Sequence, residues 1–196
     1  MALKTLVKVG EITNLSDARY CAGMGVDMLG FSLDPNSSSY VSPEQFKEIT
    51  DWVAGVKFVG ELPEEVPGEI RNIIGDYSLD YLQVSDDNLS IISVVNLPLI
   101  VGVNSSNLPK IEASIQETGE VADYFLVEGY TDVLSLEKLS SKYPMIIGDG
   151  VEVETIEDIL DSSLKGIALK GSIEEKPGFK DYDQLADILE ALEIEG

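Results

Sequence analysis

Histidine is absent from this 196-residue sequence, which also has a single cysteine and only two arginines, Arg19 and Arg71. Without histidine the chain lacks the commonest acid–base group, the commonest metal ligand and every Ser-His or Cys-His nucleophile arrangement. One cysteine excludes an internal disulfide and suits a reducing compartment, so we expect a cytoplasmic protein. Carboxylates, lysines, tyrosines and one thiol remain for any catalysis.

Long hydrophobic runs are also missing. No segment approaches the roughly 20 apolar residues that a membrane helix needs, and the start, MALKTLVKVG, lacks the apolar core and cleavage site of a signal peptide. We therefore expect no membrane-spanning helix.

Positive charge is scarce, with 13 basic residues against 36 acidic ones and a net charge of −23. Such a surface repels nucleic acid and anionic membranes, so we expect no nucleic-acid partner and no membrane partner. A solubilising or salt-adapted surface is the simpler interpretation of the charge. The acidic run VGELPEEVPGEI lacks the dense oxygen spacing of a calcium loop. We expect neither a metal nor a cofactor.

Short apolar segments alternate with amphipathic helical stretches along the chain. The predicted strands cover 3–9, 26–32, 56–62, 79–85, 97–103, 122–128, 143–149 and 164–170. The predicted helices lie near 15–24, 43–54, 64–75, 86–94, 107–119, 133–142, 153–162 and 181–194. Asn14 or Ser16, Ser42 and Asp181 are expected to cap the first, second and last helices.

This alternation predicts an α/β fold, because strands rich in Val, Ile, Leu and Phe between helices indicate a parallel sheet buried on both faces. A series of eight such units favours a (β/α)₈ TIM barrel, a single compact domain over residues 1–196, more than an open doubly wound sheet. The chain is short for a barrel, whose lower limit is about 200 residues, so we expect brief loops and a reduced fourth helix.

Function in such a barrel is expected where the strands end, in the loops that follow them. The positions to consider are Gly10-Glu11, 32–39, Glu61, Ser85-Asp86, Asn104, Glu128, 148–150 and Gly171-Ser172.

The stretch KVGEITNLSDARYCAGMGVDMLGFSLDPNSSSYVSPEQ at residues 8–45 resembles the opening of phosphoribosylanthranilate isomerase, a (β/α)₈ enzyme of tryptophan biosynthesis. The family pattern runs Lys-Ile-Cys-Gly-Ile-Thr, then a helix with Asp-Ala, then Gly-Ala-Asp, Gly-Phe and a Pro-x-Ser-x-Arg-Tyr-Ile-x-Pro loop. Matching residues here are Lys8, Ile12, Thr13, Asp17, Ala18, Gly25, Asp27, Gly30, Phe31, Pro35, Ser37, Tyr40 and Pro43. The resemblance continues at Leu82-Gln83-Val84 and in SIEEKPGFKDYDQL near the end.

This resemblance implies an Amadori rearrangement, which opens an aminoaldose phosphate into an aminoketose. In the family a cysteine ending strand one is the base, and an aspartate ending strand six is the acid. An arginine after strand two holds the anthranilate carboxylate, and glycine-rich loops after strands seven and eight hold the phosphate through backbone N–H groups.

This sequence departs from that pattern at each position. Gly10 takes the place of the cysteine, Ser39 that of the arginine, and Glu128 that of the aspartate. The only thiol, Cys21, falls inside the first helix, where a small buried apolar residue is the simpler interpretation. Gly148-Asp149-Gly150 stands where the family has Gly-Gly, and Lys170-Gly171-Ser172 where it has Ser-Gly.

Three interpretations remain open from the sequence. The first is a family member without the cysteine base and the arginine, a pseudoenzyme or a repurposed barrel. The second is a divergent sugar-phosphate isomerase in which Glu11 and Glu128 form a catalytic carboxylate pair. The third is a non-catalytic binding or scaffold barrel whose acidic surface meets a basic partner.

The ligand expected at the strand ends is a small phosphorylated or sugar-like molecule, and the expected assembly is a monomer or a homodimer. Its predicted binding residues are Lys8, Gly148, Gly150, Lys170, Gly171 and Ser172.

Overall fold

The computed structural model describes residues 2–63, 70–88, 95–107, 112–113, 116, 122–129, 132–171, 174–176, 179–180 and 183–194. Eight parallel strands pair in chain order, and the eighth pairs with the first to close a barrel. The predicted (β/α)₈ fold class is therefore confirmed.

All eight predicted strands are present. They are Leu6–Gly10 (β1), Met28–Ser32 (β2), Lys57–Glu61 (β3), Tyr81–Ser85 (β4), Leu99–Asn104 (β5), Tyr124–Glu128 (β6), Met145–Ile147 (β7) and Gly166–Lys170 (β8). Each predicted segment begins one to three residues early. The reason is that apolar residues ahead of the strands, such as Leu3, Leu79 and Leu97, pack against the core without joining the sheet.

The principal α-helices within the described residues are Leu15–Gly23 (α1), Pro43–Thr50 (α2), Ile70–Gly75 (α3), Val133–Ser140 (α4), Ile156–Asp161 (α5) and Asp183–Ala191 (α6). Two of the predicted caps are confirmed: Asn14 accepts from the Asp17 N–H, and Ser42 accepts from the Gln45 N–H with Pro43 at the first helical position. Asp181, and most of the predicted helices at 86–94 and 107–119, lie outside the described residues.

A short antiparallel pair, Glu174–Lys176 (β9) with Phe179–Lys180 (β10), follows β8. This pair was not predicted from the sequence, in which the segment only leads into the last helix. Within the described residues, no helix has the length and apolar character needed to cross a membrane.

The barrel interior is filled by an apolar layer of six buried side chains, one from each of six strands. They are Met28, Val59, Ile100, Leu126, Ile146 and Ala168. A second, larger core lies between the barrel wall and the helices, where Phe31, Phe46, Phe58 and Tyr77 meet edge to face. These two cores hold the strand ends in fixed positions.

Candidate active site

The inward-facing positions at the carboxyl ends of the strands form a layer of small and polar residues above the apolar layer. Side chains alternate along a strand, so the residue two places after each inward-facing one also faces the interior. These positions are Gly10, Gly30, Glu61, Gln83, Gly102, Glu128, Gly148 and Lys170. We call this layer the mouth layer.

Glu61, at the end of β3, is bound to Lys8 inside the barrel. Its Oε1 accepts a hydrogen bond from the Lys8 Nζ, and its Oε2 accepts from the Glu11 N–H at 3.2 Å. The side chains of Lys8 and Glu61 are only 3% and 15% exposed. Both carboxylate oxygens are therefore held, and the carboxylate has one defined orientation.

Glu61 reaches Lys8 across β2, which lies between β1 and β3 in the sheet. Gly30 on β2 makes this possible, because a Cβ there would lie 2.6 Å from the Glu61 Cδ and 3.0 Å from the Gly10 Cα. A Cβ on Gly10 would lie 2.6 Å from the Glu61 Oε1 and 3.2 Å from the Lys8 Nζ. The carboxylate thus occupies the space that a side chain at Gly10 would need.

Glu128, at the end of β6, also rests against glycines of neighbouring strands. A Cβ on Gly102 would lie 3.2 Å from the Glu128 Oε2, and one on Gly148 would lie 3.7 Å from the Glu128 Cγ. Although Glu128 is exposed at the mouth, desolvation of its carboxyl raises its pKa above the ordinary value. Lys170 and Lys8 oppose this rise, and the negative charges of Asp149 and Glu61 add to it.

Glu11 has a left-handed backbone conformation, with φ at 57°, which is unusual for a residue other than glycine. Its side chain, 38% exposed, places Oε1 3.8 Å from the Nζ of Lys170, which is itself 72% exposed. Exposed pairs of this kind stabilise a protein little. The contact of Glu11 with the barrel interior is made by its backbone N–H, which donates to the Glu61 carboxylate.

A cavity of about 120 Å³ brings the two predicted catalytic residues, Glu11 and Glu128, together with Lys8, Glu61 and Lys170. Gln83 also lines it, and its Oε1 is buried without a hydrogen-bond partner among the described residues. From the sequence, Glu61 was recognised only as a residue at a strand end, and neither Glu61 nor Gln83 was predicted to belong to the site. The available signal was a charged or amide side chain inside an otherwise apolar strand.

A second cavity of about 230 Å³ adjoins the first, between the ends of β7 and β8 and the start of α6. It is lined by Gly148, Asp149, Gly150, Lys170 and Gln184 together with apolar side chains. These include three of the predicted ligand-binding residues, Gly148, Gly150 and Lys170. Ser172 lies outside the described residues.

Two of the glycines predicted to bind phosphate use their N–H groups within the fold. The Gly148 N–H donates to the Val127 carbonyl at 2.8 Å, and the Gly171 N–H donates to the Gly10 carbonyl at 2.7 Å. The Asp149 carboxylate accepts from the Gly129 N–H, which directs it toward the loop after β6. In this arrangement the Lys170 ammonium is the positive group lining the second cavity.

A larger cavity, of about 620 Å³, lies on the outer surface along α2, away from the strand ends. Glu44, Asp51 and Asp76 line it. Within the described part of the chain, no group of three or more His, Cys, Asp or Glu side chains is placed to hold a metal ion. We place the candidate site in the mouth layer, because the inward-facing ionisable side chains converge there.

A model of the N-(5'phosphoribosyl)anthranilate (PRA) isomerase family matches residues 7–191. N-(5'-phosphoribosyl)anthranilate isomerase of Gloeothece citriformis is 27% identical over 95% of this chain and 93% of that protein. The enzyme of that name from Aquifex aeolicus is 24% identical over 96% and 98%.

Solved structures show the same fold. Phosphoribosyl anthranilate isomerase from Thermotoga maritima superposes with a TM-score of 0.80 at 22% identity, over 96% of this chain and 98% of that one. A phosphoribosyl anthranilate isomerase crystallised with reduced 1-(o-carboxyphenylamino)-1-deoxyribulose 5-phosphate gives the same score, identity and coverage.

Proposed function

Because the chain belongs to the N-(5'-phosphoribosyl)anthranilate isomerase family, we propose that it is a repurposed member that binds a small phosphorylated sugar and does not catalyse the family's usual isomerisation. The observation that carries this proposal is the position of Glu61, whose carboxylate fills the side-chain space of Gly10. The resemblance implies a cysteine base at that position.

The absence of a base at Gly10 is the first reason. A hydrogen atom cannot accept the substrate proton, so no base stands at the position to which the resemblance assigns it. Cys21, the one thiol of the chain, is 1% exposed and packs in the core between the barrel and the helices. It cannot reach a ligand in the mouth.

The second reason is the absence of a positive charge at Ser39, which the resemblance aligns with the carboxylate-binding arginine. The Ser39 N–H donates to the Ser37 Oγ at 3.1 Å within the loop after β2. A serine hydroxyl provides one donor, whereas an arginine provides a planar, charged pair of donors that matches a carboxylate. An anthranilate group would lose that anchor.

Binding of a phosphorylated sugar is supported by the second cavity. Lys170 lines both the second cavity and the cavity that contains Glu61 and Glu128. One ligand could therefore place its phosphate in the second cavity and its sugar carbons beside Glu61 and Glu128. The similar structure described above holds a ligand with a 5-phosphate. The Lys170 ammonium is a charged donor for a phosphate in this cavity, and the Asp149 carboxylate that also lines it is bound to the Gly129 N–H.

The test is turnover of freshly generated phosphoribosylanthranilate, followed by loss of its fluorescence. We expect no rate above the spontaneous background in a folded sample, with the Thermotoga maritima enzyme as positive control. Binding of ribulose 5-phosphate, measured by calorimetry, is expected in the same sample. Saturable turnover would overturn the proposal.

A divergent isomerase is the second candidate, favoured by the raised pKa of Glu128, which suits an acid. Turnover of phosphoribosylanthranilate that both Glu11→Ala and Glu128→Ala abolish would establish the Glu11 and Glu128 pair expected from the sequence.

A further inference from the structure

We infer that Glu61, with Glu128 as its acid partner, is a general base that moves protons on a phosphorylated aldose or ketose lacking any carboxylate. This inference rests on the proposed function, since it needs a sugar phosphate in the mouth. It gives to Glu61, at the end of β3, a role that one of the three interpretations of the sequence offered to Glu11.

The position of Glu61 is the first argument. Its carboxylate lies beside Gly10, at the end of β1, so it faces the same part of the cavity as a side chain at position 10 would. Lys8 and the Glu11 N–H hold its two oxygens, which fixes the direction of its remaining lone pairs. A base held in one orientation needs little rearrangement to take a proton.

Lys8 is the second argument. Its ammonium has three N–H donors, so it can bind Glu61 and still donate to a ligand oxygen in the same cavity. Positive charge placed where an oxyanion develops lowers the barrier to forming an enediol. The pair therefore supplies both a proton acceptor and a stabilising charge.

Glu128 is the third argument, because its surroundings differ from those of Glu61. Glu61 is hydrogen-bonded to an ammonium, whereas Glu128 lies over Gly102 and Gly148, and no hydrogen bond from the described residues holds its carboxylate. Two carboxyl groups in unlike environments can divide the roles of base and acid. Glu128 lines the same cavity and is the group suited to donate.

The proton transfers balance without an oxidant or reductant. The Glu61 carboxylate takes the proton from the hydroxyl-bearing carbon next to the carbonyl, and the C–H electron pair forms the C=C bond of an enediol. The carbonyl π pair moves to its oxygen, which takes a proton from Glu128. Return of the Glu61 proton to the former carbonyl carbon, and of the hydroxyl proton to Glu128, gives the isomer.

The charges around the cavity define the substrate class. The lysines at its lining, Lys8 and Lys170, each already contact a carboxylate, so Glu61 and Glu11 balance their charges. A phosphate can use Lys170, but a second anionic group would find no further positive charge among the described lining residues. Aldose and ketose phosphates without a carboxylate satisfy this condition.

The experiment uses the full chain with ribulose 5-phosphate in D₂O. It follows by proton NMR the signals of the hydrogens on the carbons next to the carbonyl, which disappear as deuterium replaces them. Calorimetry measures binding of the same probe. We expect enzyme-dependent exchange, about 10²-fold slower in Glu61→Gln, with affinity unchanged within about threefold. Glu128→Gln should slow isomer formation, and Glu11→Gly should slow exchange by less than about tenfold.

Glu61→Asp is the second variant, which keeps the test decisive if Glu61→Gln does not fold. It retains the negative charge that pairs with Lys8 but moves the carboxylate by one methylene, and we expect exchange to slow in this variant too. Asp51→Asn, on the outer surface of α2, is the control that leaves exchange unchanged. Binding without exchange overturns this inference and leaves the proposed function standing. Absence of binding overturns both, and exchange lost in Glu11→Gly but kept in Glu61→Asp makes Glu11 the base.

Discussion

The Glu61 Oε1 lies 2.6 Å from the point where a Cβ on Gly10 would stand, although the two residues belong to strands that do not pair. Such a separation is shorter than a carbon–oxygen contact allows. Glu61 in this conformation and a side chain at position 10 therefore cannot both be accommodated. The observed position of the Glu61 carboxylate requires glycine at position 10.

Alanine at Gly10 or Gly30 should destabilise the fold. Gly10→Ala displaces only the end of the Glu61 side chain and weakens its bond to Lys8, so we expect a cost of about 1–2 kcal/mol. Gly30→Ala also meets the Gly10 backbone and should cost more, about 3 kcal/mol. Urea unfolding measures both values.

The matched control for these variants is Gly23→Ala at the end of α1, where an added Cβ meets nothing within 4 Å. We expect no loss of stability there, since alanine is the better helix former. Equal stability of all three variants would contradict the close packing around Glu61.

The buried Lys8–Glu61 pair should be far more sensitive to truncation than an exposed pair. Lys8→Met leaves the Glu61 carboxylate, 15% exposed, without its ammonium partner, and we expect a loss of about 3 kcal/mol. Lys47→Met breaks a pair whose side chains are 72% and 55% exposed and should change stability by no more than about 0.5 kcal/mol. Denaturant unfolding measures both losses, and an equal fall in the free energy of unfolding for the two variants would contradict this prediction.

Glu128 should make stability fall as the pH rises. Its pKa in the folded chain lies above the ordinary 4.5 that applies when unfolded, so the folded state binds the proton more tightly. This penalty is absent below pH 4.5 and complete above the folded pKa. The stability of Glu128→Gln relative to the natural chain should therefore increase from pH 4 towards neutrality and then level off.

Glu137 provides a control of opposite sign. The Ser163 Oγ and N–H donate to its carboxylate at 2.7 and 3.1 Å, which lowers its pKa. Its stabilising effect is present above the ordinary 4.5 and is lost as the pH falls through the lower, folded pKa. Unfolding curves of Glu137→Gln should thus show lower stability than the natural chain at neutral pH. If the stabilities of Glu128→Gln and Glu137→Gln, each relative to the natural chain, changed with pH in the same direction, the pKa shifts assigned to the two residues would be wrong.

Lys170 should determine affinity for the phosphate group alone. Lys170→Met removes the ammonium beside the second cavity, and we expect ribulose 5-phosphate to bind about tenfold more weakly. Affinity for ribulose itself should not change. Lys142→Met, whose ammonium lies 3.5 Å from Glu112 at the surface, is the control. Equal weakening of both ligands in calorimetry would place the phosphate elsewhere.

The barrel could be predicted because its strands are continuous apolar runs, as burial on both faces requires. The sequence also shows the ends of these runs, and that was sufficient to include Glu11, Glu128 and Lys170 among the candidates. Strand boundaries were less accurate, since Leu79 and Leu97 are apolar for packing and not for pairing.

Glu61 could not be assigned from the sequence, because its partners Lys8 and Gly10 are more than fifty residues away and two strands across the sheet. The contact depends on Gly30, a single missing side chain on the strand between them. Proximity along the chain pointed to Glu11 beside Gly10, whereas proximity in the barrel points to Glu61.

The mutual exclusion at positions 10 and 61 also limits the order in which substitutions can accumulate. If an ancestor carried at position 10 the cysteine that the family resemblance implies, this glutamate conformation and that side chain competed for the same space. Restoring a side chain at position 10 alone would displace the end of Glu61 from Lys8, at the cost of about 1–2 kcal/mol given above. A simultaneous change at position 61 would remove this conflict, so the order of substitutions at these two positions affects stability along the way.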